Sequence, residues 1–312
     1  TGYTSLAAAF ANAQDGETVT VIADTSIAGN PVEYRAKSVT LDLNDHTVTA
    51  ENKESGNIAI FEGATLTLKD TVGGGSIVSN TKYDGTNNTT KPVINVDNGS
   101  TFTMQSGTIE TVYGTTAKDA ENYGQYGVGV WKNSSATING GTIKSGWYCV
   151  ASNGSKDKTG AYVGDKANIT VNGGKLISTA DYAIYAPSVN GTVTIAGGEV
   201  VGATGAVAMR AGDLIVNGGT LGTDKTSSTG TWADGTGNIG NAVIALASGS
   251  ETAYGSINAR IHGGEIKLLN GAEDPLFIIN KGDKDLKFTI DGGAFSEDIS
   301  KGYKDYIADG YE

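Results

Sequence analysis

The side chains that most often carry chemistry are sparse in these 312 residues and scattered along the chain. They include three arginines (Arg35, Arg210 and Arg260), two histidines (His46 and His262) and one cysteine, Cys149. A single cysteine closes no disulfide within the chain, and two distant histidines beside it make no Cys/His metal cage. Cys149 lies in the stretch WYCVAS with no His or Asp neighbour, which suits a packed thiol rather than a nucleophile. Residues 234–238 (DGTGN) place oxygen donors at alternate positions but lack the acidic density of a calcium loop, so a Gly/Asx turn is expected. No metal and no cofactor is expected. Two segments are richer in recognition chemistry: 79–92 carries Tyr83, Asn87 and Asn88, and 113–127 carries Tyr113, Asp119, Glu121, Tyr123 and Tyr126, with Trp131 close behind. Tyrosine rings stack on sugar faces, and amides and carboxylates reach hydroxyls, so this set suits a glycan or a protein epitope.

Charge narrows the partners. Lys and Arg total 22 against 34 Asp and Glu, a net of −12, which is no footprint for nucleic acid. No run of 18 apolar residues exists, so membrane insertion is not expected. The chain opens on Thr1 with no Met and no basic segment ahead of an apolar run, the expectation for a processed fragment whose targeting peptide has been removed. With 46 glycines, 4 prolines and 38% hydrophobic residues spread evenly, the chain should fold, either as two ordinary domains or as one elongated repeat.

The repeat is legible as a Gly-Gly pair between short alternating strands. Copies read SATINGGTIKS (135–145), ANITVNGGKLIS (167–178), GTVTIAGGEVVG (191–202), DLIVNGGTLGT (213–223), ARIHGGEIKL (259–268) and KFTIDGGAFSE (287–297), with degenerate forms FTMQSGTIE (102–110) and LDLNDHTVT (41–49). The apolar residue ahead of each turn aligns as Leu43, Leu68, Met104, Ile138, Val171, Ile195, Val216, Ile261 and Ile290, at intervals of 21 to 45 residues. The two-residue period on both sides of each turn specifies strand, turn, strand, and a further strand precedes each copy, as in NIAIF, PVINV, YGVGVW and YAIYA. Three short strands per coil bury their apolar sides only by stacking coil on coil.

This pattern resembles the right-handed parallel β-helix of the pectate-lyase-like proteins, above all the β-helical regions of large bacterial surface proteins, over essentially the full chain. The expected fold is all-β, a single-stranded parallel β-helix solenoid of about ten coils. Residues 1–16 form a capping helix, 17–297 the solenoid, and 298–312 a C-terminal cover or the start of a linker. Leu6, Ala9, Phe10 and Ala13 recur at helical spacing after Thr4 and Ser5 and would close the first coil, whose unpaired strand edges otherwise invite aggregation. Ile299, Tyr303 and Tyr306 would cover the last.

On such a solenoid Asn44, Asn139, Asn172 and Asn217 read as turn residues that tolerate positive φ and stack their amides between coils. The outward threonines Thr67, Thr103, Thr137, Thr170, Thr194 and Thr289 read as a wet strand face. An ice-binding face would need coils of uniform length.

The resemblance also brings a catalytic expectation to test. Lyases of this kind hold calcium on strand carboxylates and abstract a proton with Arg or Lys, while hydrolases cluster Asp residues. Carboxylates of that sort should fall in matching columns of consecutive coils about 4.8 Å apart. The alignment instead puts Phe61, Asp97 and Trp131 in one column and Asp42 alone in another. Arg260 and His262 flank Ile261 like a basic catalytic pair, but His262 stands where other coils have Asn.

The expected function is therefore a non-catalytic binding or adhesion domain, or a stalk, of a secreted or cell-wall-attached bacterial surface protein. A polysaccharide lyase or glycoside hydrolase with an atypical site is the alternative. The expected ligand site is Tyr83, Asn87, Tyr113, Tyr123, Tyr126 and Trp131. The expected partner is a host or environmental glycan or glycoprotein, met by a monomeric segment of a larger protein. A second insertion, 223–241, carries Trp232.

Overall fold

A computed structural model of the chain describes residues 2–51, 56–81, 92–112, 125–153, 155–156, 162–163, 166–223, 231–233, 238–240, 242–248, 255–269, 276–280 and 285–311. Ten parallel strands make sheet 1: Glu17–Thr20, Ser38–Asp42, Thr65–Lys69, Thr101–Met104, Ser134–Ile138, Ala167–Val171, Thr192–Ile195, Gly212–Val216, Ile257–Ile261 and Leu286–Ile290. Each opens one coil, and the coils are numbered 1 to 10 in this order. From sheet 1 the chain passes through sheet 2, also of ten strands, and then through sheet 3, of nine, before returning. Neighbours in every sheet belong to successive coils, so the chain is a parallel β-helix. Two antiparallel ribbons, Ser155–Lys156 with Tyr162–Val163 and Thr231–Ala233 with Asn238–Gly240, branch from its connections.

Alternation of side chains builds the core. In coil 6, Ala167, Ile169 and Val171 are buried while Asn168 and Thr170 are half-exposed. Register carries that pattern from coil to coil, Ile138 to Val171 to Ile195 to Val216 to Ile261 to Ile290, inside one continuous cluster. The threonine file is longer than the turn alignment suggests, running unbroken through Thr18, Thr40, Thr67, Thr103, Thr137, Thr170 and Thr194. One member of the apolar alignment is corrected: Leu41, not Leu43, pairs with Leu68. Leu43 is also buried, but two residues further on, inside a longer corner.

The corner between sheets 1 and 2 explains the Gly-Gly pair. A Cβ on the first glycine of coil 6, Gly173, would sit 2.6 Å from the carbonyl oxygen of Asn139 in the coil beneath. The second, Gly174, has φ +78°, a left-handed conformation that side chains resist, and its Cβ would meet the Gly141 carbonyl at the same distance. The positive φ thus belongs to the second glycine, while Asn139, Asn172 and Asn217 keep ordinary backbone. Asn139 and Asn172 do stack: the Asn172 amide donates to Asn139 Oδ1 at 2.9 Å, and Asn139 in turn faces Gln105 Oε1 at 3.4 Å, whereas Asn217 is flanked in register by Ala196 and His262. Asn44 does not belong to this file. It adopts φ +51° in the coil-2 corner, and its amide donates to the Val21 carbonyl.

That corner, without Gly-Gly, is held by carboxylates. Asp70 accepts the backbone N–H groups of Asp45 at 2.9 Å and Gly75 at 2.7 Å. Burial, the largest influence, pushes its pKa up, but these N–H groups and that of Gly73 outweigh it and hold the carboxyl below its ordinary range. Asp42 behaves alike, with burial offset by the Thr71 hydroxyl and N–H and by Lys69.

Both ends of the core are covered. Helix α1, Leu6–Asn12, starts at Ser5, whose hydroxyl accepts the Ala8 N–H, and buries Leu6 and Phe10, the latter 5.4 Å from the Tyr34 ring. At its C-terminal end Lys37 Nζ donates to the carbonyls of Phe10 and Ala13, both at 2.7 Å, satisfying acceptors that a short helix leaves open. At the far end Ile299, Tyr303 and Tyr306 pack on the core around helix α2, Ser300–Tyr303, with Tyr306 5.2 Å from Phe288.

Two outcomes follow from the corners. Gly173→Ala should lower stability by about 1–3 kcal/mol through overpacking against Asn139, whereas the outward Thr170→Ser should stay within roughly 0.5 kcal/mol, as read by chemical denaturation. Asp70 has a folded pKa below its unfolded value near 4, so its contribution is complete above that value and lost as pH falls through the folded one. Asp70→Asn should therefore be less stable than the parent at neutral pH, with the gap narrowing as pH falls below about 4; a gap independent of pH would refute this account.

Candidate functional site

Sheet 3 departs from the other two in coils 4 to 7, where its strands are buried on both sides, although its first strand still alternates, with Glu33 and Arg35 exposed. Strands Tyr182–Ala186 and Gly205–Met209 are buried at all five positions, where sheets 1 and 2 alternate. Its outward file reads Ala59, Asn95, Gly129, Ala151, Tyr185, Ala208 and Ala245. These are mostly small residues, a floor on which larger rings can lie.

In coils 4 to 6 those rings form a second apolar cluster, separate from the solenoid core: Trp147, Tyr148, Tyr182 and Tyr185, with Tyr126 packed against them. Tyr126 lies edge-on to Trp147 at 5.0 Å, 5.3 Å from Tyr148 and 6.3 Å from Trp131. Tyr148 stacks on Tyr185 at 4.8 Å with the planes 10° apart. Offset and edge-on pairs of this kind add about 0.5–1.5 kcal/mol each beyond burial.

Polar anchors fix the rings. The Trp147 indole N–H donates to Asp181 Oδ2 at 2.9 Å, and Asp181 Oδ1 accepts the Tyr182 N–H at 2.7 Å. The Trp131 indole N–H donates to Asn95 Oδ1, and its ring covers Gly129, where an added Cβ would strike both Trp131 and Pro92. Burial, helped by the Asp181 charge, holds the Tyr182 phenol protonated well above its ordinary range. Beneath, at the edge of sheet 2, a buried hydroxyl file turns the chain toward sheet 3: Thr111 and Ser145 lie 3.1 Å apart, Ser145 donates to the Gln125 carbonyl, and Ser178 to that of Trp147.

The cluster sits at the roots of the two insertions. Both leave sheet 2 for sheet 3, in coils 3 and 4, and their ends are joined across coils: Val112 N–H to Ser79 on the way out, Val93 N–H to Tyr126 on the way back. Tyr126 and Trp131, both half-buried, are thus brought together. Tyr83, Asn87, Asn88, Tyr113, Asp119, Glu121 and Tyr123 lie outside the described residues, as do residues 234–237 of the DGTGN loop. Trp232 lies in the second ribbon, paired with Ile239. Gln125, next to Tyr126, buries an amide whose terminal atoms have no hydrogen-bond partner among the described residues.

Trp147, Tyr148, Asp181 and Tyr185 escape the sequence reading. Their signal is the loss of alternation in WYCV and YAIYA, since an unbroken apolar run marks a strand covered on both sides.

The candidate catalytic groups stay apart. Asp42 belongs to the coil-2 corner and Arg260 to the outer side of sheet 1 in coil 9. Asp97, after the coil-3 strand of sheet 3, pairs with Lys132 at 3.3 Å. His262 holds the Asn position and pairs with Asp291 of the next coil. Cys149 is fully buried, its thiol facing the Ile143 carbonyl, and burial pushes its pKa far up. Among the described residues no three His, Cys, Asp or Glu side chains converge as a metal site.

Comparison with known proteins finds no matching family model, no matching curated protein and no matching solved structure.

Removing an anchor should loosen the cluster without touching the solenoid core. Trp147→Phe takes the indole donor from Asp181 and should cost about 1–3 kcal/mol, with a weakened near-UV circular dichroism signal and an unchanged far-UV spectrum. Equal stability of variant and parent would show that the indole–carboxylate bond holds nothing in place.

Proposed function

We propose that this chain is a non-catalytic binding or adhesion domain of a secreted or wall-attached bacterial surface protein, of the pectate-lyase-like kind that its repeats resemble. Its ligand, a glycan or glycoprotein, engages sheet 3 where the paired insertions enter it. The observation that supports this reading is the meeting of two half-buried rings, Tyr126 and Trp131, on an anchored aromatic base at those roots. Rigid rings with one side open give stacking area at little entropic cost, and such anchors dominate recognition energy. The net charge of −12 disfavours polyanions and leaves neutral glycans or basic protein surfaces.

Catalysis is not part of the proposal, because Asp42, Asp97 and Arg260 occupy separate places on the solenoid. Reducing-end and unsaturated-product assays on uronic-acid and neutral polymers should remain at background. Turnover abolished by changing Asp42, Asp97 or Arg260 would establish the opposite. Binding is tested on glycan and host-protein arrays with the Tyr83→Ala, Tyr123→Ala, Tyr126→Ala triple variant. Loss of the parent's array signal with an unchanged far-UV spectrum is expected, the unfolding midpoint falling only by what Tyr126 loses in contacts with Trp131, Trp147 and Tyr148, and an undiminished signal would remove the insertions from consideration.

A further inference from the structure

A concavity of about 580 Å³ opens on sheet 1 in coils 6 to 10, a different sheet from the one that carries the aromatic cluster. Its wall is one outward file, Asn168, Thr192, Asp213, Asn258 and Lys287, a residue from each of five successive coils. In coils 2 to 5 the same file reads Ser38, Thr65, Thr101 and Ser135, short hydroxyl side chains that strand formation alone can explain. Asn, Asp and Lys are disfavoured in strands, so their arrival where the groove opens has no explanation in the fold itself.

Much of their bonding capacity is uncommitted. Asp213 is approached by the Asn258 amide at 3.3 Å, and Asn168 Oδ1 accepts the Thr192 N–H at 3.2 Å, its amide protons having no partner among the described residues. Among the described residues, Lys287 and Asp285, which also line the groove, have no ion-pair partner. Gly212, which also lines the groove, lets the coils approach closely there, since a Cβ would strike the carbonyls of Ser188 and Gly191.

We propose that this groove binds an extended, neutral polysaccharide laid along the solenoid axis. Strand spacing presents one polar group about every 4.8 Å, close to the advance of one pyranose ring along a stretched chain. Neighbouring amides donate and accept and the carboxylates accept, which together match a vicinal pair of hydroxyls. Lysine and aspartate balance within the groove, so it attracts neither polyanion nor polycation. A peptide finds no strand edge here, because the wall is a sheet face whose backbone is already paired within sheet 1.

The test measures affinity electrophoresis and calorimetry with arabinoxylan, galactomannan and mixed-linkage β-glucan as probes. The parent should bind at least one, and Asp213→Ala with Asn258→Ala should weaken that binding about ten-fold or more with an unchanged unfolding midpoint. Tyr126→Ala should leave it intact. If the double variant loses stability, the Lys287→Ala variant decides the matter by the same readout. No binding of any probe by the parent, or full binding by these variants, overturns the proposal. Binding lost only with Tyr126→Ala overturns it too, while supporting the separate reading of the aromatic site.

Discussion

The close approach of backbone to backbone at the corner between sheets 1 and 2 is the constraint on which the rest of the molecule depends. Parallel strands of successive coils must meet at hydrogen-bond distance along their whole length, and the corner must not hold them apart. Glycine removes the obstacle twice, once by yielding space to the carbonyl beneath, as Gly173 does over Asn139, and once by taking positive φ, as Gly174 does. With this corner reduced to a two-residue turn, coils of unequal length can keep one register in sheet 1, and insertions leave from the other two corners. Through the coils built this way, Thr137, Thr170 and Thr194 stay in one unbroken file for that reason.

Where the corner is built otherwise, sequence pattern misleads. Coil 2 places Leu43 and Asn44 where a turn alignment looks for the last apolar residue and its asparagine, yet Leu41 holds the register and the corner is closed by the carboxylates of Asp42 and Asp70. Periodicity reports which side of a strand faces inward, but it does not count residues in a corner held by side chains. Lys37, which closes the end of α1, gives no pattern at all, since its role depends on a meeting with Phe10 and Ala13 that only the folded chain brings about.

The candidate site was legible in part for the same reason. Tyr126 and Trp131 stand out because they flank insertions, and insertions break a period. Trp147, Tyr148, Asp181 and Tyr185 sit within the period, in segments that read as ordinary strands, and only their burial on both sides separates them from the rest of the core. The three sheets thus present three different exteriors: hydroxyl and amide files on sheet 1, an alternating wet face on sheet 2, and an aromatic base on sheet 3. A solenoid can vary each exterior independently because the core beneath is indifferent to what points outward.

The uniform step per coil is measured most directly by pulsed electron resonance between spin labels introduced on the threonine file. Cys149 is fully buried and offers no competing attachment point. With one label at Thr40, second labels at Thr170, Thr194 and Thr289 lie four, five and eight coils away. At ~4.8 Å per coil the backbone separations should be about 19, 24 and 38 Å, each with a narrow distribution. The long stretch between Thr194 and Thr289 would then add three coils and no more. Separations that follow the number of intervening residues instead, or broad distributions beyond Thr194, would contradict a single register carried by the corner.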